Sequence, residues 1–330
     1  MMSNMVYDMQ GTGQPLAEEL AAGGEGSIYP LLNRPDVVVK KYHQNHIGDA
    51  ERMEKVNALI ALYRENPCLR TLPLAWPQIA VYDSQQRWQG YAMKCVQGKK
   101  MRLLCNPKLT KKHFPQLTRV QIVSYLLNLL NTAEQLHKQG IFMGDINLDN
   151  FIVDPDSEQV YFIDCDSFQI SYQGRRYPCP VGQDSMIPPE HQGLKLKEVV
   201  RDENSDLFSL TAICFMLLMS GRHPYEHIGG TSITSNIGTG HFPYGQSIRP
   251  GSQGAIPQGP WYAWWSHLSY NLKGAFITTF KDAAGSPSQR VRISELKKLL
   301  KQYKWSIEQG RLSNEVWPAQ VKESEYRSED

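Results

Sequence analysis

Residues 144–150 read Gly144-Asp145-Ile146-Asn147-Leu148-Asp149-Asn150 and run into Phe151-Ile152-Val153; a little further on comes Ile163-Asp164-Cys165-Asp166. Asp145, Asn150 and Asp164 fall at the ends of short apolar runs. Each run is long enough for a strand and too short for a helix, so the polar residues belong in turns at strand ends, where side chains can converge on a ligand. Carboxylates and a carboxamide gathered in this way suit a metal ion and phosphate. The plainer alternative is a polar turn between two core strands, so the flanking sequence has to decide.

Upstream, Ile122, Val123, Leu126, Leu127, Leu130, Ala133 and Leu136 recur at helical spacing between Thr118 and Gln139, and Gly140 follows as a C-cap. Earlier still, a glycine cluster from Leu20 to Tyr29 separates two candidate strands, the second being Asp36-Val37-Val38-Val39-Lys40-Lys41-Tyr42. A β-branched run ending in lysine delivers an ammonium group to one point, and alternation turns Lys41 to the opposite face. Asp49 to Tyr63 carries Met53, Val56, Leu59, Ile60 and Tyr63 at helical spacing, and Ile79–Tyr82 with Trp88–Cys95 reads as a hairpin. Residues 1–14 are polar and aperiodic, a flexible leader, with order beginning near Pro15.

Downstream, the chain is turn-rich through Tyr172 to Pro178, reaching Val181-Gly182-Gln183 and Ile187-Pro188-Pro189-Glu190. Ser205 or Asn204 caps a buried helix through the apolar run 207–219. Residues 226–259, rich in Gly, Ser, Thr and Pro, form an irregular excursion. Trp261, Trp264, Trp265, Leu268, Leu272, Phe276 and Phe280 then suit helical packing in the core, Leu296 to Tyr303 ends the last helix, and 306–330 is a polar tail, solvated or partner-bound.

Bulk properties narrow the class. At 330 residues and 41% hydrophobic content the chain can bury a core in two lobes. Cys68, Cys95, Cys105, Cys165, Cys179 and Cys214 are scattered without C-x-x-C pairs, which argues against zinc and a disulfide framework and for a reducing cytoplasm. A formal charge of +2 gives no reason to expect nucleic acid or an anionic membrane. The first ten residues lack the pattern of a signal peptide, and no apolar run is long enough to span a bilayer.

With these pieces in order, the span from Leu20 to Leu300 resembles a protein kinase. The resemblance rests on the glycine cluster followed by Val-Val-Val-Lys, the Leu136-His137-x-x-Gly140-Ile141 lead-in, D-x4-N, the I-D of Asp164, Pro188-Pro189-Glu190 and Arg290-x-Arg292-x-Ser294-Glu295-Leu296. More narrowly, Val39-Lys40-x-Tyr42-His43 and Ile163-Asp164-x-Asp166-Ser167-Phe168-Gln169 look like bacterial kinase-like proteins associated with tellurite-resistance gene clusters, without the helix-hairpin-helix region some of them carry.

The resemblance implies an α+β, bilobal fold, with a small β-rich lobe over 15–98 and a mainly helical lobe over 99–305. It implies ATP, bound with Mg2+ or Mn2+, and transfer of its γ-phosphoryl group to Ser or Thr of a protein. Gly23, Gly24, Gly26 and Ile28 would cover the nucleotide, Lys40 would meet its phosphates, and Glu54, in preference to Glu51, would pair with Lys40. Met93 would be the gatekeeper, with Lys94, Cys95 and Val96 at the adenine. Asp145 would take the hydroxyl proton, Asn150 and Asp164 would hold the metal, and Asp206 would organise the catalytic loop. Glu190 would pair with Arg290, or failing that Arg292. By the same resemblance the partners are a protein substrate of von Willebrand A type and a PP2C-type phosphatase.

Departures from the family pattern cluster in the opening stretch. Met143 and Gly144 stand where His and Arg usually precede the catalytic Asp, which removes the clamp for a phosphorylated activation segment. Asn147 replaces a lysine that steadies the γ-phosphate, with a cost in rate. Asp166 adds a carboxylate that either helps bind metal or caps a turn, and Gln183 replaces the threonine next to the substrate. A nucleotide-binding scaffold, or transfer of AMP or phosphoryl to another acceptor, stays open on the same fold.

Overall fold

The structure is a computed structural model and describes residues 5–246, 248 and 252–319. Its first part is a curled antiparallel sheet. The strands are β1 (Met5–Tyr7), β2 (Gly13–Pro15), β3 (Ala21–Ala22), β4 (Gly26–Leu31) and β5 (Arg34–Tyr42), followed by helices α1 (Ala50–Glu65) and α2 (Pro67–Thr71) and strands β6 (Ile79–Tyr82) and β7 (Trp88–Lys94). The order across the sheet is β2-β1-β6-β7-β5-β4-β3. In this register Lys40 pairs with Tyr91 and Ile28 with Lys40, so the ammonium group sits under the glycine-rich turn between β3 and β4.

The leader is a correction. Residues 5–14 are strand and turn: Asp8 Oδ1 accepts the N–H groups of Gln10 at 2.9 Å and Thr12 at 2.8 Å, and Gly11 takes φ 82° to close the hairpin. The hairpin holds because Val6 is buried with Leu16, Val39, Val81 and Ala92, while Tyr7 pairs with Tyr82 on what would otherwise be the open edge of β6. Residues 1–4 lie outside the described residues.

The second lobe is mainly helical. It contains β8 (Lys99–Lys100), α3 (Pro107–His113), α4 (Arg119–Lys138), β9 (Phe151–Val153), β10 (Val160–Phe162), β11 (Ile170–Tyr172), β12 (Arg175–Tyr177), α5 (Glu203–Leu218), α6 (Ile233–Thr239), α7 (Trp261–His267), α8 (Tyr270–Ile277) and α9 (Ile293–Glu308). Together the lobes make a bilobal, kinase-like α/β fold. Helix α4 begins at a complete capping box, in which the Thr118 hydroxyl accepts the Gln121 N–H and the Gln121 side chain answers the Thr118 N–H. Helix α5 is apolar on every side because it runs through the core. Its N-cap is Asp202, not Ser205 or Asn204; Asp202 Oδ1 accepts the Ser205 N–H at 2.8 Å, which is better geometry for a carboxylate one turn earlier.

Further boundaries move for the same kind of reason. The segment from Tyr172 to Pro178, expected to be turn-rich, belongs mostly to the β11–β12 hairpin, which docks on α1 through Tyr172 to Glu65 (2.8 Å) and Arg175 to Glu54. The excursion 226–259 holds helix α6, and Phe242 and Tyr244 bury in the core; residues 247 and 249–251 lie outside the described residues. Trp264 and Trp265 are core residues, as their spacing suggested. The tail is not simply solvated: Arg119 donates to Val316 O at 2.9 Å, its own N–H donates to Asn314 O at 3.0 Å, and Trp317 Nε1 donates to Ser220. Residues 320–330 lie outside the described residues. No helix among the described residues is long and apolar enough to cross a membrane.

One long-range ion pair closes the large lobe. Arg290, fully buried, meets both Glu190 oxygens at 2.7 and 2.6 Å and lays its guanidinium 5.3 Å from the centre of the Phe208 ring. This selects Arg290 over Arg292, whose nearest acid is Glu203 at 3.6 Å. Removing Glu190 would leave a buried arginine without its counter-charge. Glu190→Ala is therefore expected to lower unfolding free energy by about 3 kcal/mol, near the low end for such pairs because Glu190 is partly exposed, measured by urea denaturation; Arg292→Ala is expected to cost under about 0.5 kcal/mol.

Candidate active site

The catalytic stretch is held from beneath by one side chain. Asp206, in the first turn of α5 and 1% exposed, accepts the N–H of Met143 at 2.8 Å and of Gly144 at 3.0 Å, and His137 Nε2 lies 3.0 Å from its second oxygen. These are backbone donors that a turn leaves unpaired, so the carboxylate fixes the turn. Gly144 is required there: its φ is +70°, and a Cβ would stand 2.8 Å from Cys179 Sγ and 3.2 Å from Arg201 Nε. The chain has exchanged a side chain at this position for close packing of the segment after β12.

Above the turn, Asp145 is oriented from two sides. Asn147 Nδ2 donates to Asp145 Oδ1 at 3.0 Å, and Asn150 Nδ2 donates to Asp145 Oδ2 at 3.1 Å and to its backbone carbonyl at 2.9 Å. Asn147 is buried and its own oxygen accepts the Asp149 N–H at 2.9 Å. Asn147 therefore steers Asp145 and caps the loop; it does not reach outward as a charged residue would. With Nδ2 of Asn150 committed, its Oδ1 is the atom left for the cleft.

Across the cleft, Lys40 is buried among acids. Its Nζ lies 2.5 Å from Asp164 Oδ1, 2.9 Å from both Asp166 oxygens and 3.8 Å from Glu25 Oε2. Burial alone pulls the lysine down, but Asp166 and Asp164 outweigh it and hold its pKa above the ordinary value. Asp166, with 3% of its side chain exposed, also accepts the hydroxyls of Tyr42 at 2.5 Å and Tyr91 at 2.7 Å. Burial opposes its ionisation, and Lys40 with the two hydroxyls overcomes this and holds the carboxyl below the usual range. Asp164 fares differently: burial pushes it up to about 6, the pull of Lys40 being partly cancelled by the Asp166 carboxylate.

Two expectations fail here. Glu54 does not meet Lys40, because α1 turns it outward to Arg175 and the Tyr177 hydroxyl (3.3 Å); Glu51, the second choice, pairs with Lys197 at 2.6 Å. Asp166 neither caps a turn nor faces the cleft as a metal ligand, since four short contacts occupy its oxygens. What α1 points inward instead is cationic. Lys55 donates to Ser167 O at 2.9 Å and Pro178 O at 2.8 Å, and Arg52 meets Glu25 at 3.0 Å. Glu25, at the tip of the glycine-rich loop, is thereby neutralised.

Most of the remaining residues expected to touch a nucleotide line one cleft of about 340 Å³: Gly23, Gly24, Gly26, Ile28, Lys40, Met93, Lys94, Cys95, Val96, Asn150 and Asp164. Gly26 must be glycine because a Cβ would stand 2.3 Å from Lys41 O. The Cys95 N–H donates to Asp36 O at 2.8 Å, so by alternation the backbone groups of Lys94 and Val96 face away from β5. Tyr42, Tyr91 and Arg52 are site residues that the sequence reading did not assign. Tyr42 was legible, since residues two apart on a strand share a face; Tyr91 and Arg52 are placed by strand pairing and helix docking alone.

Comparison with known proteins adds a family likeness. No family model matches the chain. Over 313 residues, 92% of the chain, it is 29% identical to "Protein kinase YegI" of Escherichia coli strain K12, and over 314 residues 28% identical to the protein of the same name in strain O157:H7. The chain spans about half the length of these curated relatives, 47% in each case. A shorter stretch of 120 residues, a third of the chain and 26% of the relative, is 32% identical to "Meiosis-specific serine/threonine-protein kinase mek1" of Schizosaccharomyces pombe. The likeness along nearly the whole chain is thus to bacterial protein kinases.

The Gly144 geometry yields a test that separates packing from family habit. Gly144→Arg, which restores the residue usual at this position, is expected to lower stability by about 2 kcal/mol or more through left-handed backbone strain and collision with Cys179. Thermal unfolding checks it.

Proposed function

We propose that this protein transfers the γ-phosphoryl group of ATP, bound with Mg2+ or Mn2+, to Ser or Thr hydroxyls of a protein. The observation that carries the reading is the convergence of Lys40, Asn150 and Asp164 on one cleft next to an Asp145 whose two oxygens are already aimed by Asn147 and Asn150. The donor set fits a magnesium–nucleotide pair. Asp164 and Asp166 flank Lys40, and burial pushes the Asp164 carboxyl, which lines the cleft, up to about 6; a divalent cation would favour its ionised form. Among the described residues no cluster of three His, Cys, Asp or Glu forms a self-sufficient metal site, which suits a cation held by one or two protein oxygens plus phosphate. Around Gly24 nothing lies within 4 Å of a would-be Cβ, leaving room over the cleft.

In this reading Asn150 Oδ1 and Asp164 hold the metal, and Lys40 meets the phosphates as a point charge. When bound, the metal would neutralise the charge that builds on the leaving phosphate oxygen. Asp145 accepts the hydroxyl proton as the substrate oxygen bonds to the γ-phosphorus and the bond to the β–γ bridging oxygen breaks, releasing ADP. Asn147 keeps Asp145 in the reactive rotamer, a task that needs no charge. The substrate side of the proposal follows the family resemblance: a protein of von Willebrand A type, with a PP2C-type phosphatase reversing the modification.

The test uses the purified full chain with labelled ATP and a candidate protein or lysate. Asp145→Ala is expected to reduce γ-label transfer by about 10³-fold or more while leaving ADP affinity within about threefold; Asp164→Ala is expected to weaken metal-dependent nucleotide binding as well. Full activity in the Asp145 variant overturns the assignment. Label arriving only from α-labelled ATP would mean AMP transfer, and nucleotide binding without any label would mean a scaffold.

A further inference from the structure

A lysine that meets phosphates from a buried strand needs a carboxylate to hold its long, flexible stem in one place. Helix α1 offers none. Its three acids, Glu51, Glu54 and Glu65, are committed outward to Lys197, Arg175 and Tyr172, and its inward-facing polar groups are Arg52 and Lys55. A second acid near Lys40 therefore has to come from another element. Asp166 supplies it from the 3-10 turn Cys165–Ser167 that directly follows Asp164.

Resting on the kinase reading above, we propose that Asp166 is the positioning residue for Lys40, taking the place of a glutamate from α1. The geometry is specific for that task. Both Asp166 oxygens sit 2.9 Å from Nζ, and their remaining capacity is filled by Tyr42 and Tyr91, which stand on the same face of β5 and β7 as Lys40. The tyrosines leave the carboxylate no vacancy for a metal and tie it to the sheet. Because Asp164 and Asp166 share one turn, seating that turn places the metal-side carboxylate and the lysine together. Moving α1 does not break the pair. What such a motion would disturb is the glycine-rich loop, through Arg52 and Glu25, and the docking of Lys55 on the backbone of Ser167 and Pro178. The state of the phosphate site is thus set by the metal turn, with α1 acting on the loop that covers it.

The experiment is steady-state kinetics on the full chain with ATP and Mg2+ varied independently. Asp166→Asn is expected to raise the ATP KM and lower kcat, each by about tenfold or more, with the Mg2+ midpoint unchanged within about twofold. Tyr42→Phe, which removes one donor to Asp166 without emptying the site, is expected to raise the ATP KM about threefold. Glu54→Gln is expected to leave kcat/KM within about twofold. A shifted Mg2+ midpoint with unchanged ATP KM overturns the proposal in favour of a metal ligand, and a Glu54→Gln loss matching that of Asp166→Asn overturns it in favour of α1. A wild-type chain that transfers no label defeats the kinase reading alone. The positioning role is then decided by thermal unfolding of Lys40→Met, Asp166→Asn and the double variant: non-additive Tm shifts uphold it and additive shifts refute it.

Discussion

The buried ammonium of Lys40 and the carboxylates around it are the constraint on which the rest of the site depends. Taking such a charge out of water costs several kcal/mol unless it is paired with good geometry, and here the pairing joins three pieces of chain. Strand β5 brings Lys40 and Tyr42, strand β7 brings Tyr91, and the turn after β10 brings Asp164 and Asp166. The small sheet and the large lobe are therefore fastened at the point where the phosphates would lie. Burial raises the Asp164 carboxyl to about 6, and a cation entering the cleft would favour its ionised form.

A second fixed point lies under the catalytic turn. Asp206 gathers two backbone N–H groups and His137, and Gly144 accepts a left-handed conformation so that Cys179 can pack against it. With the turn anchored, the two asparagines aim Asp145 without any charged neighbour. The residues that depart from the usual kinase pattern, Gly144, Asn147 and Asp166, are thus not scattered losses. Each has a partner: Gly144 has Cys179, Asn147 has Asp145 and the Asp149 N–H, and Asp166 has Lys40 and two tyrosines.

Helix α1 illustrates how the polarity of an interface can invert while the fold persists. In place of an acid reaching the lysine, it sends Lys55 to backbone carbonyls and Arg52 to the acidic tip of the glycine-rich loop. Burial lowers the Lys55 pKa to about 8, and its two carbonyl partners solvate the ammonium. The hairpin β11–β12 then covers the outer face through Arg175 and Tyr172. The segment after the turn that carries Asp164 and Asp166 is in this way docked on α1 by contacts that require no added phosphate.

The sequence by itself determined the order of the elements and the backbone of the site. Helix α4, the strand carrying Lys40 and the D-x4-N stretch follow from local periodicity and spacing, and the Glu190–Arg290 pair and the role of Asp206 from the family resemblance. Tertiary structure decided whatever depended on which face an element presents. Glu54 and Glu51 lie on the same amphipathic helix as Arg52 and Lys55, and only docking says which of them turn inward. Asp166 read as a metal candidate because sequence proximity to Asp164 conveys distance but not direction; the 3-10 turn sends it to the sheet. The β1–β2 hairpin stayed invisible for a related reason, since Val6 alone is a weak signal until β6 offers an edge to pair with and a core to enter. Local sequence sets what a segment can become, and long-range pairing, burial and the cost of an uncompensated charge select which partner it takes.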